Sequence, residues 1–225
     1  MLKAITFDLD NTLIDFMKMK EKASDAAAKA MVNAGLNMPL NQTKKELFDI
    51  YIQDIEGNHA FQDFLYKHKI NDERILAAAI NAHMKIKFNY MKPYKGVKTT
   101  LKKLKDMGLK LAIVTDAPRL KAFIRLEEMK ITNYFDVIVG KEDTNRLKPS
   151  KMPFKKALKL LNVKANETMH VGDWPEKDIL GAKRIGMKTC FAKYGYNKKN
   201  KIIPSDYTIN SINELINIVK ILNQK

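Results

Sequence analysis

The sequence predicts an α/β fold, a doubly wound parallel sheet with a small all-helical domain inserted after its first strand. After about residue 95, short apolar runs alternate with amphipathic stretches, which is typical of a parallel sheet covered by helices on both sides. Residues 15 to about 90 instead contain only helical stretches. A chain of 225 residues is long enough for one medium core with such an insertion.

The first predicted strand begins at Ala4 and runs into a pair of acids, Asp8 and Asp10. Side chains at positions i and i+2 share a face in an extended strand. A strand that stops here places both carboxylates at its carboxyl end, where open α/β sheets bind ligands. Two neighbouring carboxylates repel each other and need a cation or a shared proton. The alternative is a surface turn, because Asp-x-Asp-Asn-Thr is also good turn chemistry.

The insertion follows this strand directly. Its predicted helices are Lys18–Ala34, Lys44–Ile55 and roughly 59–68 and 72–89. Because the insertion leaves and re-enters at the carboxyl end of the first strand, we expect it to lie above the two aspartates. A lid in that position excludes water and contacts the substrate. The sequence therefore predicts a catalytic core of residues 1–15 and 91–225 and a helical cap of residues 16–90.

The remaining elements follow from apolar periodicity and from residues that end or cap helices. The predicted strands are Leu109–Thr115, Tyr134–Val139, Thr168–Gly172, Lys188–Ala192 and Asp206–Ile209. The predicted helices are Val97–Met107, Pro118–Met129, Ser150–Leu161, Asp178–Ile185 and a final helix capped by Ser211. Gly108 and Gly186 end two of these helices, and serine is a good N-cap residue.

The net charge of +16 would suit a nucleic acid or a membrane surface as partner. However, the densest lysine stretches, Lys102–Lys105 and Lys155–Lys159, alternate with apolar residues at helical spacing, which is typical of solvated helix faces. No apolar run approaches the ~20 residues of a membrane span. We therefore expect neither a specific nucleic-acid partner nor a membrane, and a basic surface equally favours small anionic substrates.

The chain has one cysteine, Cys190, which excludes an internal disulfide and fits a reducing cytoplasm. Its place in a predicted buried strand favours an inert core residue. The N-terminal segment has no signal-peptide pattern, so we expect a cytoplasmic protein. The sequence leaves a monomer and a homodimer equally open.

Polar side chains also follow the later strands. Because the carboxyl ends of parallel strands meet at one edge, we expect these groups to converge with the first two aspartates. Oxygen ligands of this kind suit Mg²⁺, which commonly binds few carboxylates together with water and substrate oxygens. The converging residues are Asp8, Asp10, Thr115, Lys148, Asp173 and Asp178.

Four segments resemble, in order, the motifs of the haloacid dehalogenase superfamily of phosphohydrolases. They are Asp8-Leu-Asp10-Asn-Thr-Leu, Thr115, Lys148-Pro149 and Gly172-Asp173-x-x-x-x-Asp178. The resemblance covers the whole chain and includes the helical cap of that superfamily. It implies a Mg²⁺-dependent phosphatase that hydrolyses a phosphoric monoester of a small metabolite.

The resemblance also implies a role for each residue. Asp8 would be the nucleophile that forms an aspartyl-phosphate. Asp10 would protonate the leaving alcohol and then activate water. Lys148 would neutralise charge on Asp8 and on the phosphoryl group. The Thr115 hydroxyl and the Asp116 N–H would hold phosphoryl oxygens.

The resemblance implies a metal site as well. Asp8 would bind Mg²⁺ through its carboxylate, Asp10 through its backbone carbonyl and Asp173 through its side chain. Asp178 would be either a further ligand or an anchor for the metal's water molecules.

Simpler interpretations remain for several of these residues. Lys148 could be an ordinary loop lysine, and Asp178 could favour a helix N-terminus electrostatically. Asp116 could be only a helix N-cap. His170 lies inside a strand, so a satisfied core histidine is the preferred interpretation.

Other functions also remain. A sugar phosphomutase of this fold would retain Asp10, whereas a 2-haloacid dehalogenase lacks the second aspartate, which argues against it. Substrate candidates include phosphoglycolate, glyceraldehyde phosphate, sugar phosphates and nucleotides. Specificity would depend on cap side chains such as Lys18, Lys20, Tyr51 or Phe61.

Overall fold

A parallel sheet organises the chain in a computed structural model that describes residues 1–53, 56–57, 59–197 and 201–224. The strands are β1 (Ala4–Phe7), β2 (Lys110–Val114), β3 (Val137–Val139), β4 (Thr168–Gly172), β5 (Lys188–Ala192) and β6 (Tyr207–Ile209). They are hydrogen-bonded in the order β3-β2-β1-β4-β5-β6, with every pair parallel. This order makes β1 central, between β2 and β4, and puts the reversal of strand order beside it. Ligands bind at such a reversal, outside the carboxyl ends of the strands.

The strands are apolar because both faces of the sheet are covered. All residues of β1 and β4 are buried, and only the first residue of β2 is exposed. The helices are α1 (Phe16–Asn33), α2 (Leu40–Gln53), α3 (Ala60–Lys67), α4 (Glu73–Tyr90), α5 (Val97–Asp106), α6 (Arg119–Glu128), α7 (Lys151–Leu161), α8 (Leu180–Lys183) and α9 (Leu215–Asn223). The predicted doubly wound α/β fold is confirmed.

Several of the predicted elements begin at other residues. The helices predicted from Lys18 and Lys44 begin at Phe16 and Leu40. The strand predicted from Tyr134 begins only at Val137, because Thr132–Tyr134 forms a 3₁₀ turn. The helix predicted over Asp178–Ile185 is shorter, because Asp178 lies in a π-helical turn, Pro175–Ile179, and α8 covers only Leu180–Lys183. Apolar periodicity does not distinguish a π-helical turn from an α-helical one, so the start of this helix could not be predicted. The predicted end of the second helix, at residues 54 and 55, lies outside the described residues.

The described chain divides into two compact units. The α/β unit comprises Met1–Asp15 and Lys92–Lys225, and the helical unit comprises Phe16–Met91. Within the α/β unit the two ends of the connection lie side by side, since the Tyr94 N–H donates to the Leu13 carbonyl at 2.9 Å. No described helix is long and apolar enough to cross a membrane.

The helical unit has a hydrophobic core of its own. Helix α1 packs against α2 and α4, and α3 packs against α2 and α4. Asp72 caps α4 by accepting hydrogen bonds from the Arg74 and Ile75 N–H groups. The buried core residues are Ala27, Ala28, Met31, Leu36, Leu47, Phe61, Phe64, Leu65, Ile75 and Ala79.

Three buried polar side chains in the helical unit are linked by hydrogen bonds. Lys20 Nζ donates to the Tyr51 hydroxyl at 3.0 Å, and that hydroxyl lies 2.8 Å from His83 Nε2. Because an ammonium can only donate, the Tyr51 oxygen accepts from Lys20, and the Tyr51 hydroxyl can donate to a neutral His83. Burial, together with the charges of Lys87 and Lys20, lowers the pKa of His83 to about 4.

We expect His83 to make the protein acid-sensitive. The unfolded chain binds a proton to this histidine near the ordinary histidine pKa of 6.5, whereas the folded chain does so only near 4. The free energy of unfolding is therefore highest above the ordinary histidine pKa. It falls as the pH drops from about 6.5 towards about 4, by up to about 3 kcal/mol. Urea unfolding of wild type and His83→Gln should show a smaller pH-dependent loss in the variant.

The exposed His59 provides the matched control. A His59→Gln variant should keep the wild-type slope between about pH 7 and about pH 4. Equal slopes for wild type and His83→Gln would contradict the assignment.

Candidate active site

The central residues of the site directly follow three neighbouring strands. Asp8 follows β1, Thr115 follows β2 and Asp173 follows β4. The Asp8 N–H still donates to the Val171 carbonyl at 2.9 Å, so the last residue held by the sheet is an acid. The sheet therefore places these side chains along one edge, as the strand pattern predicts.

Lys148 links this edge to the turn after β4. Its Nζ lies 2.5 Å from Asp8 Oδ1 and 2.6 Å from Asp178 Oδ1, and its side chain is 2% exposed. A lysine buried between two carboxylates is not an ordinary loop lysine. Lys148 is 140 residues from Asp8 and 30 residues from Asp178 along the chain, so only the folded sheet brings these three residues together.

Asp116 holds the Lys148 loop in place. Its Oδ1 accepts the Lys148 backbone N–H at 2.9 Å, and its Oδ2 accepts Lys177 Nζ at 3.0 Å. The interpretation of Asp116 as a helix N-cap is wrong, because Pro118 occupies that position of α6. Thr115 is buried, and its hydroxyl oxygen accepts the Ala117 N–H at 3.2 Å.

Burial and mutual charge change the acidities of the cluster. Burial raises the pKa of Asp8 to about 7; Lys148 opposes this rise, and Asp178 and Asp10 add to it. Burial and the charges of Asp8 and Asp178 raise the pKa of Asp173 well above its usual value. Burial alone would raise the pKa of Asp178 too, but Lys148 and His170 bring it below its usual value.

Lys148 itself remains charged. Burial alone would lower its pKa, but Asp178, Asp8 and Asp116 outweigh burial and raise it above its usual value. The site therefore combines one permanent cation with two carboxylates, Asp8 and Asp173, that tend to hold protons without a further cation.

Three of the carboxylates could hold a metal ion. Oxygens of Asp8, Asp173 and Asp178 lie within 4.8 Å of one another, and all three residues are buried. An oxygen-only set of this kind fits a hard cation such as Mg²⁺. A cation here would also relieve the repulsion that raises the pKa values of Asp8 and Asp173.

Asp178 has several other partners. Its Oδ1 accepts Lys148 and lies 3.3 Å from His170 Nε2, and its Oδ2 accepts the Trp174 N–H at 3.0 Å. The glycine at position 172 permits this approach, since a Cβ there would lie 2.5 Å from the Asp178 Cβ.

His170 is the satisfied core histidine that the sequence predicts. It is fully buried, and its Nδ1 lies 2.8 Å from the Thr6 hydroxyl. Cys190 is buried as well, and burial raises the pKa of its thiol to about 12, so the thiol is protonated and inert.

Two residues of the site were not predicted from the sequence. Thr12 lies within the first motif, and its hydroxyl is 3.3 Å from Asp8 Oδ2 and 3.1 Å from Asp173 Oδ1. Arg125 of α6 donates to Asp10 Oδ2 at 2.8 Å. The available signal for Arg125 was a charged residue on the apolar face formed by Ala122 and Leu126.

Replacing Lys148 by methionine should destabilise the metal-free protein by about 3 kcal/mol near neutral pH, because a buried carboxylate cluster loses its cation. Without Lys148 the folded carboxylates have still higher pKa values and take up protons that the unfolded chain does not. The loss should therefore shrink as the pH falls towards about 5. Chemical denaturation at both pH values measures it.

Lys177→Met is the matched control, because Lys177 also pairs with an aspartate but its side chain is 30% exposed. It should cost less than about 1 kcal/mol. A Lys148→Met loss that is equal at both pH values would contradict the account.

The chain is similar in sequence to known phosphatases. Residues 5–192 match the family described as haloacid dehalogenase-like hydrolase. A glyceraldehyde 3-phosphate phosphatase of Methanocaldococcus jannaschii is 37% identical over 228 residues, covering all of both chains. A phosphoglycolate phosphatase of Aquifex aeolicus is 33% identical over 220 residues, covering 97% of each chain.

A solved structure supports the fold. The crystal structure of a phosphatase of this superfamily from Thermococcus onnurineus superposes with a TM-score of 0.67 at 24% identity, covering 97% of this chain and 98% of the other. The family match spans most of the chain, and the relatives match over its full length. The chain therefore belongs to the haloacid dehalogenase-like hydrolase family.

Proposed function

We propose that this chain, a phosphatase of the haloacid dehalogenase-like family, hydrolyses a small phosphoric monoester with Mg²⁺ through an aspartyl-phosphate on Asp8. The observation that carries the proposal is Lys148, buried between Asp8 and Asp178 at 2.5 and 2.6 Å. It provides a fixed positive charge beside a carboxylate at the sheet edge, as a nucleophile that attacks a phosphate dianion requires.

In the first step, a carboxylate oxygen of Asp8 attacks the phosphorus. The bond from phosphorus to the leaving oxygen breaks, and Asp10 donates a proton to that oxygen. Charge develops on the phosphoryl oxygens and on the leaving oxygen during this transfer. Lys148 stabilises that charge, and the Thr115 hydroxyl and the Asp116 N–H orient the phosphoryl group.

In the second step, the Asp10 carboxylate takes a proton from a water molecule whose oxygen attacks the phosphorus. The bond from phosphorus to Asp8 breaks, which regenerates the Asp8 carboxylate and leaves Asp10 protonated. The balance is one ester and one water consumed, with one alcohol and one inorganic phosphate formed.

Asp8, Asp173 and the backbone carbonyl of Asp10 would hold Mg²⁺. When bound, the ion neutralises the phosphate and keeps Asp8 ionised despite its raised pKa. Asp178 already accepts bonds from Lys148 and from the Trp174 N–H, which supports a role in orienting Lys148 and the metal's water molecules.

The substrate is a small phosphorylated metabolite with two or three carbons. Relatives of matching length are named for glyceraldehyde 3-phosphate and phosphoglycolate, which supports this size. Residues 16–90 would serve as the cap that selects among such substrates, with the catalytic core in residues 1–15 and 91–225. A single, buried cysteine supports the cytoplasm as the compartment.

The purified protein should release phosphate from p-nitrophenyl phosphate and from glyceraldehyde 3-phosphate in the presence of Mg²⁺. EDTA should abolish the release, and added Mg²⁺ should restore it. Asp8→Asn should lose at least ~1,000-fold in kcat while keeping its melting temperature, because the amide is no nucleophile. Released phosphate and thermal unfolding measure both outcomes.

Asp15 provides a control carboxylate near the same motif, and Asp15→Asn should keep most of the activity. Turnover by Asp8→Asn at a rate near that of wild type would contradict the mechanism. Release of halide from a 2-haloacid would instead support the dehalogenase alternative.

A further inference from the structure

Arg125 occupies an unusual position for a charged residue. It lies on the face of α6 that also buries Ala122 and Leu126, and its side chain is 5% exposed. A buried guanidinium is costly unless it is paired. Its NH1 lies 2.8 Å from Asp10 Oδ2, so this charge pairs with a residue of the catalytic motif.

The pair separates two carboxylates that the sequence places close together. Asp8 and Asp10 are two positions apart, and in an extended strand both would point to the same ligand. The strand ends at Phe7, and Asn11 has a left-handed backbone with φ of 60°. Asparagine tolerates that conformation better than most residues, which allows the chain to turn directly after Asp10.

The two carboxylates consequently have different surroundings. The Asp8 oxygens lie in the group with Asp173 and Asp178, a group that does not include Asp10 in the described part of the chain. Asp10 is hydrogen-bonded to Arg125. The pairing with Arg125 thus holds the Asp10 carboxylate outside the described group of carboxylates that could bind a metal ion.

We propose that Arg125 is a positioning residue that holds the Asp10 side chain apart from the metal-binding carboxylates, in the orientation needed for proton transfer. This inference rests on the proposed function, in which Asp10 gives a proton to the leaving oxygen and takes one from water. In this proposal Arg125 acts through Asp10 and is not itself a catalytic residue.

A leaving-group series tests the inference, because only proton donation depends on the basicity of the leaving oxygen. The substrates are p-nitrophenyl phosphate, phenyl phosphate and an alkyl phosphate, in order of increasing need for an acid. The ratio kcat/KM reports the steps up to the transfer to Asp8. Arg125→Met should lose roughly 10- to 100-fold more with the alkyl phosphate than with p-nitrophenyl phosphate.

Arg125→Lys keeps the charge on a shorter stem without the planar fork, so it should recover part of that loss. If Arg125→Met folds poorly, the leaving-group dependence of Arg125→Lys still tests the inference. Arg119→Met is the matched control, because Arg119 lies on the same helix and pairs with Asp143 at 3.2 Å but is largely exposed. It should show wild-type dependence on the leaving group.

Asp10→Asn separates the two ways in which the account can fail. It should show the same selective loss, and adding Arg125→Met to it should cost little more, because both changes act on one group. A uniform loss across the series, or additive losses in the double variant, would overturn the role of Arg125 while leaving that of Asp10 intact. An Asp10→Asn variant without leaving-group dependence would overturn both.

Discussion

The ion pairs of Lys148 are the interaction on which the site depends. Several carboxylates meet at the carboxyl edge of the sheet, and two unit charges about 4 Å apart interact by about 4 kcal/mol near a protein surface. Without a cation the carboxylates would repel each other or take up protons. Lys148 bonds to Asp8 and Asp178, and Asp116 holds its backbone. Lys148 thus holds the Asp8 carboxylate in place within the folded protein.

The sheet order explains why these residues meet. Strand β1 is central, and β2 and β4 lie on either side of it, so the residues that follow these three strands are neighbours whatever their distance along the chain. Additional bonds give each carboxylate different partners. Thr12 lies between Asp8 and Asp173, Asp178 bonds to Lys148, and Arg125 pairs with Asp10, the residue that we propose transfers protons.

The sequence predicts the fold and most of the site, because apolar runs and the acids that end them are local patterns. Asp173 could be named because it directly follows a predicted strand, and Lys148 because Lys148-Pro149 resembles a motif of the superfamily. Arg125 could not, because helical periodicity shows which face is buried but not which side chain lies opposite it. The π-helical turn that contains Asp178 was missed as well, because apolar periodicity does not distinguish a π-helical turn from an α-helical one. The roles of the site residues and the cap boundary remain predictions.

The central claim is that Asp8 becomes phosphorylated, and trapping that intermediate tests it most directly. The enzyme would be mixed with substrate and Mg²⁺, quenched in acid and reduced with borohydride, which converts an aspartyl-phosphate into homoserine. Peptide mass spectrometry would then locate the change. The account predicts homoserine at position 8 in wild type and none in Asp8→Asn. Turnover without any modified aspartate, or a modification at Asp173 or Asp178 instead, would contradict it.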